Sequence, residues 1–459
     1  MIRCALLELQ NWKRSQYRKP LIILGARQVG KTYLTKEFGA KEFRSTHAFN
    51  FELEPDLKPI FDRNLDPKRI LEELSFHRGK TIDPHFDLVF FDEIQATPKA
   101  LTSLKHFHEQ IPELALCAAG SLLGLHLAES SFPVGNVDWL KLYPMSFQEF
   151  LQARAPEHIH KAYFHANQGS ILPMTAHQQL WDLWREYLIT GGLPEVVARY
   201  IANKPGSIEA FVEVRETQQK IMNAYLADVA KHSGKVNALH IERTWRAVPR
   251  QMVTVQDISI NRFKFKDVIP GVHNYSRLAG PIDWLTKAGL IIQVPVCEHA
   301  ETPLSAFTKQ NHFKLLMFDI GILGAMLELP PAALIGYDFG TYKGYIAENF
   351  VAQELTAAQP NRSLFGWSEG KAEIEFIVQG DKAAIPIEVK SSTRIRAQSL
   401  RTFIEKYKPE TSIIVSGRPF AESLHPNGHT INVNLPLYLA GRAWPIALQS
   451  RDQQRGIRD

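Results

Sequence analysis

The chain has 459 residues, 45% hydrophobic and 22% charged, with a formal net charge of +5. This is a globular composition with ample core, no apolar run is long enough to span a bilayer, and no membrane partner is expected. Cys4, Cys117 and Cys297 stand far apart with no C-x-x-C pair, which fits a reducing cytoplasmic setting and excludes a cysteine-based zinc site, while the mild basicity permits a nucleic-acid partner without requiring one.

The first nine residues carry an early acid and no small-residue cleavage site, and are expected to form an amphipathic helix rather than a signal peptide. Pro20–Leu21–Ile22–Ile23–Leu24 is a short branched apolar run, as in a buried parallel strand. It feeds Gly25–Ala26–Arg27–Gln28–Val29–Gly30–Lys31–Thr32, which reads G-x-x-x-x-G-K-[ST], the P-loop pattern. Tyr33, Leu34, Glu37 and Phe38 then fit the start of a helix. A strand, a glycine-bearing turn and a helix N-terminus make an anion cradle of inward-pointing N–H groups. Residues Gly25 to Tyr33 are therefore the candidate phosphate-binding segment, with Lys31 reaching the outer phosphates and the Thr32 hydroxyl ligating magnesium.

Ala48–Phe49–Asn50–Phe51–Glu52 alternates like a strand, and Pro67 to Phe76 has helical spacing, with Ile70, Leu71 and Leu74 on one face. Leu88–Val89–Phe90–Phe91–Asp92–Glu93 is four apolar residues followed by two acids, the form of a Walker B strand whose acids emerge beside the phosphates. Asp92 would hold magnesium together with Thr32, and Glu93 would orient the attacking water or accept its proton. An acidic turn after a core strand is the plainer alternative. Pro98 to Gln110 is the next helix, and Leu114 to Ala119 a strand ending at Gly120–Ser121. Ser121 is the candidate γ-phosphate sensor, a helix N-cap, or both. Strands alternating with helices predict an α/β fold with a doubly wound parallel sheet.

These residues resemble a family of AAA-type ATPases common in bacteria and archaea, whose C-terminal region has long been labelled a domain of unknown function. The resemblance runs through the P-loop, Phe91–Asp92–Glu93–Ile94–Gln95, Ala119–Gly120–Ser121 and Leu142–Tyr143–Pro144–Met145–Ser146–Phe147–Gln148–Glu149–Phe150. It implies ATP and Mg2+ as cofactors. The family usually has Gly-Arg shortly before the last block; here the pair is Gly135–Asn136.

Ser146 and Glu149 form an S-x-x-E capping box. Leu180, Leu183, Trp184, Tyr187 and Leu188 recur at helical spacing up to Gly191–Gly192–Leu193–Pro194, and Ile208 to Lys231 is a longer helix. These are expected to form a lid, from which Arg185 and Arg199 either contact phosphate or stay solvated. Thr190–Gly191–Gly192–Leu193–Pro194–Glu195 also matches the family. Leu239 to Met252 and Asn274 to Ala288 read as helices, and Leu290 to Val294 as a following strand, in the pattern of a winged helix. Its second helix would show Ser276, Arg277, Asp283 and Lys287 to DNA, or the module would serve only in packing.

Lys314–Leu315–Leu316–Met317–Phe318–Asp319–Ile320–Gly321 is a further family block, and Pro330–Pro331 marks a boundary. A helix from Gly344 to Ala358, strands at 364–367, 373–378 and 384–390, a helix from Ile395 to Tyr407 and a strand at 412–415 follow. Glu388 and Lys390 share a strand face, and with Glu375 next to them the set offers two carboxylates and an ammonium, as a magnesium-dependent phosphodiesterase needs. The order resembles the restriction-endonuclease-like fold with its PD-(D/E)xK signature. That resemblance makes Glu348 the helix acid, Glu375 the hairpin acid (usually Asp) and Glu388 and Lys390 the E-x-K pair.

Four segments are thus expected: an ATPase domain at 1–150, a helical lid at 151–235, a winged-helix region at 236–330 and a restriction-endonuclease-like domain at 331–459. The expected function is magnesium-dependent ATP hydrolysis with ATP and ADP as ligands, DNA as a partner and a metal-dependent nuclease domain. The alternative is a nucleotide-controlled interaction switch with slow turnover and an inactive nuclease-like domain. The sequence leaves a homo-oligomer open and identifies no arginine finger.

Overall fold

A computed structural model describes residues 1–121, 123, 133, 135–166, 172–254, 262–337, 342–380, 382–393 and 397–445. The chain forms two compact units, Met1–Tyr143 with Lys287–Gly289, and Pro144–Thr286 with Leu290–Asp459. Among the described residues no helix is long and apolar enough to cross a membrane.

The first unit is built on β1 (Leu21–Leu24), β2 (Ser45–Asn50), β3 (Asp87–Asp92), β4 (Ala115–Ala119) and β5 (Asp138–Lys141). All pairs are parallel, in the order β2-β3-β4-β1-β5. Around them lie α1 (Ala5–Arg14), α2 (Lys31–Glu42), α3 (Lys58–Arg63), α4 (Pro67–Arg78) and α5 (Pro98–Gln110). Leu88 to Phe91 are fully buried, as an unbroken apolar run requires when helices cover both faces of a sheet. The Phe91 ring anchors one side of the core, with edge contacts to Phe51 at 5.4 Å and Phe61 at 5.8 Å between centroids. Asp66 caps α4 with its side chain, and Gly79 ends it at φ 64°. The expected strand at Ala48–Glu52 lies instead at Ser45–Asn50, and β5 was not foreseen.

The second unit opens with α6 (Phe147–Arg154), α7 (Glu157–His165), α8 (Met174–Thr190), α9 (Pro194–Ala202), α10 (Ile208–Ser233), α11 (Lys235–Thr254) and α12 (Tyr275–Lys287). The hairpin β6 (Ile291–Cys297) and β7 (Thr308–Met317) follows, then α13 (Ile320–Met326), α14 (Pro331–Gly336) and α15 (Tyr342–Ala358). The rest is β8 (Phe365–Glu369), β9 (Ala372–Gln379), β10 (Ala384–Val389), α16 (Gln398–Tyr407), β11 (Thr411–Ser416), β12 (Ala421–Leu424) and β13 (Ile431–Pro436). The start of the expected Ile395–Tyr407 helix lies outside the described residues.

One mixed sheet joins these strands in the order β12-β13-β11-β10-β9-β8-β6-β7. β6 meets β8 in parallel at Val296 and Cys297. The hairpin after α12 and the C-terminal strands therefore share a sheet, so segments 236–330 and 331–459 are not separated at the sheet level. The Ser146 and Glu149 capping box is present with both hydrogen bonds. Two sequence blocks more than a hundred residues apart also meet: Asp319 Oδ2 accepts the Gly192 N–H at 2.7 Å, and Oδ1 accepts that of Ile322 at 2.9 Å.

Candidate nucleotide-binding site

The candidate site lies at the C-terminal ends of β1 and β3. Gly25, Gln28 and Gly30 take φ values of 150°, 65° and 95°, which folds the loop between β1 and α2. Gly25 is needed there for a second reason: a Cβ would stand 2.2 Å from the Leu142 carbonyl oxygen. The Lys31 ammonium, almost wholly buried, donates to the carbonyls of Gly25 and Ala26, each at 2.8 Å. The chain's start supports the loop from behind, because the buried Arg3 guanidinium donates to Val29 O and Tyr143 O, each at 2.7 Å. Nothing in the sequence singled out Arg3.

Across the loop, Thr32 Oγ1 donates to Asp92 Oδ2 at 2.9 Å. The parallel register of β2 and β3 sets Asn50 beside Asp92, and its amide approaches the same oxygen at 3.4 Å. Asn50 was not foreseen, although its place at the end of a strand next to Walker B is the available signal. Glu93 falls just past β3, in the left-handed region at φ 49°. Glu93 Oε2 accepts from Gln95 Nε2 at 2.6 Å and from both the N–H and Oγ of Ser121 at 3.2 Å. Ser121 thus faces the catalytic candidate in this structure; the helix it would cap lies outside the described residues. Gly120 makes room, since a Cβ there would stand 2.0 Å from Gln95 Oε1.

The electrostatics follow from burial. Burial lowers the Lys31 pKa to about 8, against the pull of Glu93 and Asp92, and Arg27 lowers it further. Burial also raises Asp92, with the Thr32 hydrogen bond working against it. Thr32 and Asp92 put two oxygen donors side by side, a set that suits Mg2+.

The C-terminal candidates also gather, in the second unit. Glu348 lies on α15, Glu375 on β9, Glu388 on β10 and Lys390 just beyond it. Lys390 Nζ is 2.6 Å from Glu388 Oε1 and 4.0 Å from Glu375 Oε1. Burial raises Glu348, Glu375 and Glu388 above the usual carboxylate range, with a nearby lysine opposing the shift in each case. Two further residues join them that sequence reasoning missed, Lys314 and Glu373. Among the described residues no group of three or more His, Cys, Asp or Glu is placed to hold a metal ion. Arg185 pairs with Asp182 and donates to Ile335 O, and Arg199 pairs with Glu195 and Glu213.

Residues 17–151 match the family model described as an AAA domain, 182–333 a domain of unknown function, DUF8612, and 343–438 another, DUF4143. The AAA match falls almost wholly within the first unit and covers less than half of the chain. A search of curated proteins gives no match. Among solved structures, the chain is similar to a Walker-type ATPase of Pyrococcus abyssi at 16% identity and TM-score 0.45, covering 71% of this chain and 96% of that one. It is also similar to the ORC1 protein of Aeropyrum pernix in complex with DNA, at 13% identity and TM-score 0.28, covering 72% and 94%. The RuvB Holliday junction branch migration motor of Thermotoga maritima matches at 13% identity and TM-score 0.29, covering 63% and 87%.

Proposed function

We propose that the first unit binds ATP with Mg2+ and hydrolyses it, and that the chain works on nucleic acid under the control of that cycle. The observation that carries this reading is the convergence of Lys31, Thr32, Asp92 and Glu93, from two strand ends, on one glycine-bearing loop. Phosphate oxygens would replace the Gly25 and Ala26 carbonyls as acceptors for the Lys31 ammonium. Thr32 and Asp92 would hold Mg2+, which neutralises charge on the phosphates. Glu93 would orient the attacking water and take its proton. For nucleic acid, the support is a run of exposed basic residues, Arg262, Lys264 and Lys266, followed by Arg277 on α12.

A second reading is a switch with slow turnover. It is favoured by the Glu93 carboxylate, whose Oε2 accepts from both Gln95 and Ser121. The deciding experiment is a titration of purified chain with labelled ATP and Mg2+, followed by phosphate release with and without DNA. Binding lost in Lys31→Ala, with measurable turnover in wild type, supports hydrolysis. Tight binding with no release supports the switch, and no binding at all ends both readings.

A further inference from the structure

The resemblance of the C-terminal strands to metal-dependent nucleases asks whether a divalent ion fits the carboxylates gathered there. The test falls on Lys314, from the block Lys314–Gly321 that the nucleotide site leaves unexplained. It stands on β7, and its side chain is 3% exposed. Its ammonium is 3.0 Å from Glu348 Oε1 and 2.9 Å from Glu373 Oε1. The stem passes β8 at a glycine, where a Cβ on Gly366 would already be 3.7 Å from Lys314 Cε. Burial works against its charge, but Glu348, Glu373 and Glu375 outweigh this and hold the ammonium protonated well above the usual lysine range.

A divalent ion between Glu348 and Glu373 would need these same carboxylate oxygens at roughly 2.0–2.6 Å. An ammonium held between them at 3.0 and 2.9 Å and a metal ion cannot share the position, so this pair does not fit the ion. We propose that Lys314 is the resident cation of this cluster, standing where a divalent metal would otherwise bridge the carboxylates of α15 and β9. The second unit then carries an ammonium built in between Glu348 and Glu373, with Lys390 paired to Glu388 and Glu375 on the neighbouring strands. The cluster is also a latent metal site, opened by removing one ammonium. This inference does not depend on the nucleotide reading, since its residues lie in the other unit.

The probe is Mn2+ alone, titrated into the full chain and followed by calorimetry and by the resonance signal of free Mn2+. Wild type is expected to show no Mn2+ binding that is sensitive to Glu373→Gln; any binding at Thr32 and Asp92 is unaffected by that change. Lys314→Met, which keeps the stem, is expected to gain one Mn2+ site, weakened by roughly 10–100-fold when Glu373→Gln is added. Wild-type binding abolished by Glu373→Gln overturns the proposal, as does a folded Lys314→Met that gains no site. If Lys314→Met does not fold alone, refolding in Mn2+ but not in Mg2+-free, Mn2+-free buffer supports the proposal, and the wild-type comparison decides it otherwise.

Discussion

Thr32 Oγ1 lies 2.9 Å from Asp92 Oδ2, across a separation of 60 residues. The bond ties the first turn of α2 to the end of β3, and it brings two oxygen ligands of the kind magnesium prefers to one point. Either residue alone would be an ordinary hydroxyl or an ordinary buried acid.

Asp92→Asn is therefore expected to weaken metal-dependent nucleotide binding by roughly tenfold or more, the scale of one lost interaction with a charged group. Binding measured in EDTA should be nearly unchanged. An equal loss with and without the metal would instead assign Asp92 to holding the loop in shape.

Lys31 gives a pH signature. Its pKa is depressed to about 8 by burial, and a bound anion favours the ammonium. Below that value the charged form predominates and affinity is flat. Above it, each nucleotide bound must also bring a proton to Lys31, so affinity should fall by up to about tenfold per pH unit. Calorimetry at pH 8.5 in two buffers of different ionisation enthalpy should report uptake of roughly three-quarters of a proton per nucleotide. No difference between the buffers would mean that Lys31 is fully charged in the free chain.

The three contacts on Glu93 Oε2 separate restraint from support. Glu93→Gln should lower kcat by roughly 10²–10⁴ while leaving ATP affinity intact. Gln95→Ala removes the shortest contact, at 2.6 Å, and leaves the two longer ones from Ser121. If Gln95 restrains Glu93, turnover rises by roughly tenfold. A fall in kcat would show that Gln95 holds Glu93 in its working position.

Most of the candidate nucleotide site was legible because its chemistry is local. The P-loop needs glycine at fixed spacing, and Walker B needs apolar residues before an acid; both patterns are contiguous in the chain. Asn50 and Arg3 were not legible because their roles exist only through register and tertiary contact. Lys314 shows the same limit more sharply. It sits in a β7 segment buried from His312 to Met317, and only the fold brings it to acids on α15 and β9. The strand β5 escaped notice because it is four residues long, with Trp139 and Lys141 exposed, so no unbroken apolar run announces it.

The last prediction concerns Glu354, a fully buried acid on α15. Its Oε1 accepts the Phe147 N–H at 2.9 Å. Burial raises its pKa from 4.5 to about 8, the Phe147 N–H lowers it in part, and the nearby Glu149 raises it further. The folded-state value lies above the unfolded one, so the stabilising contribution is complete below about pH 4.5. It is lost as pH rises towards 8, because the unfolded chain releases the proton while the folded chain keeps it. The loss is on the order of 4 kcal/mol across that window. Glu354→Gln keeps an acceptor for Phe147 and has no charge to bury. The variant is therefore expected to melt higher than wild type at pH 8.5 and much closer to it at pH 5. Identical melting profiles for the two proteins across this range would mean that Glu354 titrates normally, and that the start of α6 can place a carboxylate beside Glu149 without penalty.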